Sequence, residues 1–146
     1  MDIREINIDH IAAIKKLMLD IFSKEPWNDT WTDDQLHLYV SELIENKNSL
    51  SFGLFENDNM IGMALGHVKH WFEGTEYWID EFGILPHKQR CGIGTEFLTE
   101  IEKALIDKGI LYIALLTERT VPAYDFYKRN GFDEKEETRF FVKRVY

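Results

Sequence analysis

The sequence predicts a mixed α/β fold, with a largely antiparallel sheet covered by helices on both faces. Three observations predict it. Two amphipathic helical patterns precede three strand-like segments joined by short turns. A long amphipathic helix then follows a proline that closes the third of those strands. Beyond it the chain alternates strand, helix and strand.

Residues 2–6 alternate and read as a short strand. Asp9 is placed to cap a helix whose apolar face is Ile11, Ile14, Leu17, Met18 and Ile21, a spacing of three to four residues. Lys24 to Trp31 breaks that pattern and reads as a loop. Thr32 and Gln35 form a capping-box pair that opens a second helix, with its stripe at Leu36, Tyr39, Val40, Leu43 and Ile44. Residues 50–55 and 60–68 flank the turn Glu56-Asn57-Asp58-Asn59 and read as a hairpin. Glu73-Gly74 turns the chain into a third strand over 76–85, ended by Pro86, which cannot donate to a sheet ladder.

Residues 92–108 form a strong helix, with Ile93, Phe97, Leu98, Ile101, Ala104 and Leu105 on one side and Gly109 placed to cap its end. The run 111–116 is continuously apolar, as in a strand buried on both faces. Pro122 suits the first turn of a short helix ending at Asn130-Gly131, and residues 137–145 alternate again as a final strand. There is no repeat, low-complexity tract or linker-like stretch, so the expectation is a single domain over residues 1–146.

Charge and composition narrow the function. A net charge of -9 repels phosphate backbones and argues against nucleic-acid binding. It would attract cationic small molecules, although acidity also serves solubility alone. No stretch approaches the ~20 apolar residues of a membrane span, and the charged start of the chain lacks a signal-peptide pattern. Cys91 is the single cysteine, so no internal disulfide can form and a reducing, cytoplasmic setting is expected.

The chemistry-bearing segment runs from Pro86 to Gly94. A first helical turn leaves N–H groups unpaired and carries partial positive charge, which suits phosphate oxygens. Gly92 and Gly94 allow close approach of a diphosphate, and Lys88 and Arg90 add positive charge. A P-loop is excluded for want of Gly-Lys-Ser/Thr, and a dinucleotide fingerprint because position 97 is Phe97. A loop that uses glycines merely to turn remains the alternative. His67-x-x-His70 would point to opposite faces of a strand, so no metal site is expected. Cys91 has no activating partner in the sequence and reads as a small loop residue rather than a nucleophile.

Gln89-x-x-Gly92-x-Gly94, preceded by Ile84-Leu85-Pro86 and followed by Ala123-Tyr124-Asp125-Phe126-Tyr127 and Gly131-Phe132, resembles the GNAT superfamily of N-acetyltransferases. The order of elements matches over essentially the whole chain. The resemblance implies a GNAT-like sheet whose fourth and fifth strands splay apart, with acetyl-CoA as cosubstrate in the gap. It implies that backbone groups of Gly83 and Ile84 pair with the pantetheine arm. It further implies that Gln89, Arg90, Cys91, Gly92, Ile93 and Gly94, with Thr95, hold the diphosphate, and that Tyr124 and Tyr127 lie near the thioester.

Acetyl transfer needs a deprotonated amine, a polarised carbonyl and a proton for the leaving thiolate. Glu81 is the candidate general base, since a carboxylate among aromatic neighbours has a raised pKa. Binding a cationic acceptor, or simply facing solvent, is the alternative. Alternation turns Asp80 to the opposite face unless a bulge intervenes. The Ile84 N–H is the candidate oxyanion donor. Tyr127 is the candidate acid, with packing as the alternative and Tyr124 as fallback. Trp27, Asp29 and Trp31 are candidates for the acceptor wall, with Glu73 beside Trp71 and Phe72 in the opposite loop. Ordinary packing under a loop is the alternative for the tryptophans.

The acceptor expected is a primary amine on a small cationic molecule, of the aminoglycoside or polyamine class. Some short aminoglycoside 6′-N-acetyltransferases resemble this chain in length, in a tryptophan-bearing loop and in the segment Glu81 to Pro86. A protein N-terminus or lysine is the second expectation, and a non-catalytic acyl-CoA-binding module the third. The final strand would also allow a homodimer by packing or exchange.

Overall fold

A computed structural model describes residues 1–146 as two compact units, Met1–Leu116 and Thr117–Tyr146. The first unit contains β1 (Asp2–Glu5), α1 (Ile11–Phe22), α2 (Asp33–Ile44), β2 (Ser49–Glu56), β3 (Asn59–Trp71), β4 (Gly74–Ile84), α3 (Ile93–Asp107) and β5 (Tyr112–Leu115). The strands lie in the order β1-β2-β3-β4-β5. Every neighbouring pair is antiparallel except β4 with β5, which run parallel. The mixed, mostly antiparallel sheet expected from the sequence is therefore present, with helices on both faces.

Local chemistry explains most boundaries. Thr32 and Gln35 make the predicted capping box at the start of α2, each side chain satisfying the other's backbone N–H. At α1 the expectation is corrected. Its N-cap position is His10, which makes no side-chain cap bond; the 3-10 turn over Ile8–His10 precedes the helix and is capped by Asn7, which accepts from the Asp9 N–H at 2.9 Å. Asn is as good a cap as Asp, and here it sits where the chain leaves β1 in extended conformation.

Two apolar cores flank the sheet. On one face α1 and α2 bury Ile14, Leu17, Met18, Leu36 and Val40 against Met63 and Leu65 of β3. On the other, α3 buries Phe97, Ile101 and Leu105 against Phe52, Ala64, Tyr77 and Ile79. Each such side chain contributes about 1.5–3 kcal/mol by leaving water, so these layers fix the sheet between its helices. Gly66 marks the tightest crossing: a Cβ there would lie 2.4 Å from the Trp78 carbonyl oxygen and 2.7 Å from the Tyr77 ring.

β4 carries one extra residue against β3. Leu65 pairs with Glu81 but Gly66 pairs with Ile79, leaving Asp80 as a bulge. Before the bulge, Tyr77 and Ile79 face α3. After it, Gly83 faces α1, where an added Cβ would meet Ile21, and Glu81 faces α2. The bulge thus corrects the simple alternation expected for this strand.

β5 is also corrected. It is shorter than the apolar run and is not buried on both faces, with Leu111 67% and Tyr112 51% exposed. Only Ile113 and Leu115 join the core under α3, and at the sheet edge only β4 pairs with the strand. That ladder ends at Ile79↔Leu115, while β4 runs on to Ile84, so the two strands part as the resemblance implied.

The second unit contains α4 (Pro122–Arg129), with Pro122 in its first turn as expected. Residues 137–145 form no strand, contrary to the expectation, and Phe140, Phe141, Val142 and Val145 are exposed. Alternation alone could not make a strand here, because a strand requires a partner ladder and none is present for these residues.

Gly66→Ala is expected to lower unfolding free energy by about 1–3 kcal/mol through backbone overpacking. Chemical denaturation measures this, and wild-type stability would contradict the close crossing.

Candidate active site

The segment between β4 and α3 is shaped for an anion. Pro86–Lys88 forms a 3-10 turn, and the chain then passes through left-handed conformations at Arg90 (φ 62°) and Gly92 (φ 81°) before α3 begins. The first N–H of this region with a helical partner is that of Glu96, donating to the Gly92 carbonyl at 3.0 Å. The amides of residues 90–95 make no hydrogen bond within the chain. A Cβ built on Gly92 would meet nothing within 4 Å, so the space over this turn is open. Unpaired amides, the positive end of α3 and open space fit a diphosphate. Arg90, Cys91 and Thr95 are exposed around it. Cys91 Sγ donates to the Lys88 carbonyl at 3.0 Å, and Lys88 pairs with Glu56 at 2.9 Å.

Gln89 is placed differently from a simple phosphate contact. Its side-chain amide donates to the Ile84 carbonyl at 2.8 Å, tying the loop back to the end of β4. The Leu85 N–H pairs with Ile61 of β3. The Ile84 N–H, one residue out of phase, therefore points away from β3 toward the edge where β5 has parted. Gly83 is buried beneath α1.

On the α1/α2 face, Glu81 lies under α2. The Tyr39 hydroxyl donates to Glu81 Oε1 at 2.7 Å, and the Tyr39 ring stacks on Trp31 with centroids 5.1 Å apart and planes at 23°. Burial pushes the Glu81 pKa up to about 7; the Tyr39 bond lowers it, and the nearby charges of Asp29 and Asp80 raise it. Burial also raises Asp29, and it raises the Tyr39 phenol with help from the Glu81 charge. Asp80, displaced by its bulge, has Oδ2 2.8 Å from His67 Nδ1. The Asp80 charge is close enough to Glu81 to raise its pKa. A depression of about 470 Å³ opens beside Trp31, lined by Asp29, Thr30, Gln35, Leu38, Tyr39 and Glu42 as well.

Of the predicted acceptor residues, Asp29 and Trp31 line this depression. Trp27 instead packs edge-on against Phe22 at 5.5 Å, alongside the apolar core. Glu73 lies in the β3–β4 turn, with the neighbouring Trp71 and Phe72 rings 5.1 Å apart. That turn is at the opposite end of the hairpin from Ile84, so Glu73 is not brought to the Glu81 group. Tyr39 and Glu42 were missed as site residues. The signal for Tyr39 was a phenol in an otherwise aliphatic stripe, since a partly buried hydroxyl needs a partner.

Tyr124 and Tyr127 belong to the second unit. The Tyr124 hydroxyl donates to Glu134 at 2.6 Å, and Arg119 pairs with the same carboxylate at 2.6 Å. Together they hold Glu134 below the usual carboxylate range. Tyr127 is buried, its ring 5.4 Å from both Phe126 and Phe132 in edge-on contacts.

Comparison with known proteins identifies the family. The acetyltransferase (GNAT) family matches residues 11–132. The chain belongs to the GNAT family. It is an acetyl-CoA-dependent N-acetyltransferase. N-alpha-acetyltransferase 50 of Danio rerio is 25% identical over 150 residues, covering 99% of this chain and 82% of that protein. A possible acetyltransferase from Clostridium difficile 630 shares the fold with a TM-score of 0.83 at 18% identity, over 99% of this chain and 98% of that one. AAC(6′)-Iy, solved with the bisubstrate analogue CoA-S-monomethyl-acetylneamine, has a TM-score of 0.74 at 22% identity, over 99% and 98%. No group of three or more His, Cys, Asp or Glu is arranged to hold a metal ion. No helix is long and apolar enough to cross a membrane.

Two outcomes follow from this geometry. Gly92→Val, which sets a β-branched residue at φ 81° and a side chain over the open turn, is expected to distort that turn and weaken coenzyme A binding at least ~10-fold by calorimetry while circular dichroism stays that of the folded protein. Glu81 is harder to ionise in the fold than in the unfolded chain, so its burden on stability is absent below about pH 4.5 and grows until pH passes about 7. Glu81→Gln is therefore expected to stabilise the protein at pH 8 relative to pH 4, by on the order of 2–3 kcal/mol. An equal effect at both pH values would contradict the buried carboxylate.

Proposed function

We propose that this GNAT enzyme acetylates a primary amine on a small polycationic molecule, of the aminoglycoside or polyamine class. The observation that carries this reading is the acidic, aromatic depression on α2, whose lining residue Tyr39 donates to Glu81. Asp29 and Glu42 line it with Trp31 and Tyr39, and Asp80 adds negative charge nearby. Carboxylates attract ammonium groups, and aromatic faces add cation–π attraction of about 0.5–2 kcal/mol each.

Bound acetyl-CoA supplies an activated acetyl thioester. The amides of residues 90–95 would hold its diphosphate, with Arg90 and Thr95 beside them. Gly83 and Ile84 would present their backbone to the pantetheine arm. The Ile84 N–H is a donor for the oxygen that gains charge. Glu81 would take the proton from the acceptor amine. A base with pKa near 7 is half-ionised at neutral pH and strong enough to accept that proton. Tyr127 is the residue assigned to return a proton to the sulfur, on the strength of its match to the family's Tyr-x-x-x-Gly-Phe block. Tyr124 is committed to Glu134, which favours Tyr127 over it in that role.

The similarity to N-alpha-acetyltransferase 50 favours a second reading, in which the acceptor is a protein N-terminus. Both readings use the same base and cofactor turn and differ only in what occupies the acceptor side.

A thiol-release assay with acetyl-CoA and a panel of polyamines, aminoglycosides and N-terminal peptides separates them. Turnover is expected on the first two classes. Turnover on peptides alone would support the second reading and overturn the first. Glu81→Gln is expected to reduce kcat/KM by about 10²–10³ at pH 8 and to abolish the fall in rate expected of wild type below pH 7.

A further inference from the structure

We propose that Tyr39 is a positioning residue for Glu81. Clamped against the Trp31 indole, it holds one carboxylate oxygen and leaves the other free to meet the acceptor amine. This rests on the reading of Glu81 as the base.

The geometry makes the argument. A glutamate side chain has three rotatable torsions, and a free one samples many positions. The 2.7 Å bond from Tyr39 occupies Oε1, so Oε2 is the oxygen left for proton transfer. Tyr39 cannot easily swing away. Its ring lies on the Trp31 indole at 5.1 Å, and its helix is pinned by the buried Leu36 and Val40 on either side in sequence. Trp31 and Tyr39 also line the depression on α2 together, so the ring that fixes Tyr39 is part of the same wall. Preorganisation of this kind lowers the ordering cost of the reactive arrangement.

The electrostatics give the proposal a sign. Glu81 is faced by Asp29 from the loop before α2, by Asp80 on β4 with His67 of β3 paired to it, and by Tyr39 on α2. α1 presents the apolar Ile21 and Phe22 beneath Gly83. Asp29 and Asp80 favour protonated Glu81, and so does burial. Tyr39 favours the ionised form, because its hydroxyl donates to the carboxylate. Removing that hydroxyl leaves only the influences that raise the pKa. A tyrosine that served packing alone would lose almost nothing on becoming phenylalanine.

The test is Tyr39→Phe, read as the pH dependence of kcat/KM with the best amine of the panel. The acid limb is expected to move to higher pH by roughly half to one unit, giving about 2–5-fold lower activity at pH 7 and a smaller loss at pH 9. Coenzyme A affinity is expected to stay as in wild type. An acid limb left at the wild-type pH overturns the proposal. Carboxyl-carbon NMR of labelled glutamate follows the Glu81 titration directly and decides the matter where turnover is too weak to profile: an upward shift supports the role and an unmoved midpoint refutes it. Glu81→Gln separates this proposal from the reading beneath it. If that variant keeps the wild-type limb, Glu81 is not the base. If it loses the limb while Tyr39→Phe leaves the limb unmoved, only the role of Tyr39 fails.

Discussion

One extra residue in β4 governs which way the functional carboxylate points. Strand side chains alternate strictly, so the face that takes Tyr77 and Ile79 would also take residue 81. That face is the apolar layer under α3, with Phe97 and Ile101 at its centre. A carboxylate driven in there would find no hydrogen-bond partner and would carry a heavy desolvation cost. The Asp80 bulge reverses the parity. Glu81 then reaches the α2 side, where Tyr39 can satisfy it, and Phe82 is left to stack on Phe97 with centroids 5.5 Å apart. The core on one face and the chemistry on the other both depend on that single insertion.

The second constraint is the parting of β4 from β5. Parallel pairing stops at Ile79, and the β4 backbone beyond it continues to the turn that opens α3. The Ile84 N–H faces the vacated edge, while its carbonyl is held by Gln89. A single side chain thus links the end of the strand to the anion-binding turn. The Asp80 bulge and the parted ladder occur next to each other, since the ladder ends at the residue before the bulge.

Much of this was legible in the sequence. The amphipathic pattern of 92–108 and the capping pair Thr32 and Gln35 are local signals, and they placed α3 and α2 to within a residue or two. The glycines at 92 and 94 marked the anion turn through the close approach they allow, and Gly92 is also required by its left-handed φ of 81° at the helix entry. What was not legible depends on contacts between distant parts of the chain. A bulge leaves no mark in the pattern Tyr-Trp-Ile-Asp-Glu-Phe. The partner of Tyr39 lies 42 residues away, so its hydroxyl was read as one more member of an apolar stripe. The run 111–116 resembled an interior strand because apolar residues do not announce whether a second neighbour exists. The alternation of 137–145 failed for the same reason.

The half-satisfied carboxylate under α2 has a further meaning for how such a chain changes over generations. Its charge opposes folding near neutral pH, so drift toward glutamine or an aliphatic residue at position 81 would be rewarded with a sturdier protein. Only the demand for turnover can hold an acid there. A descendant of this chain released from that demand would be expected to shed Glu81 early, and to keep the helix-mouth turn for longer because it burdens the fold less.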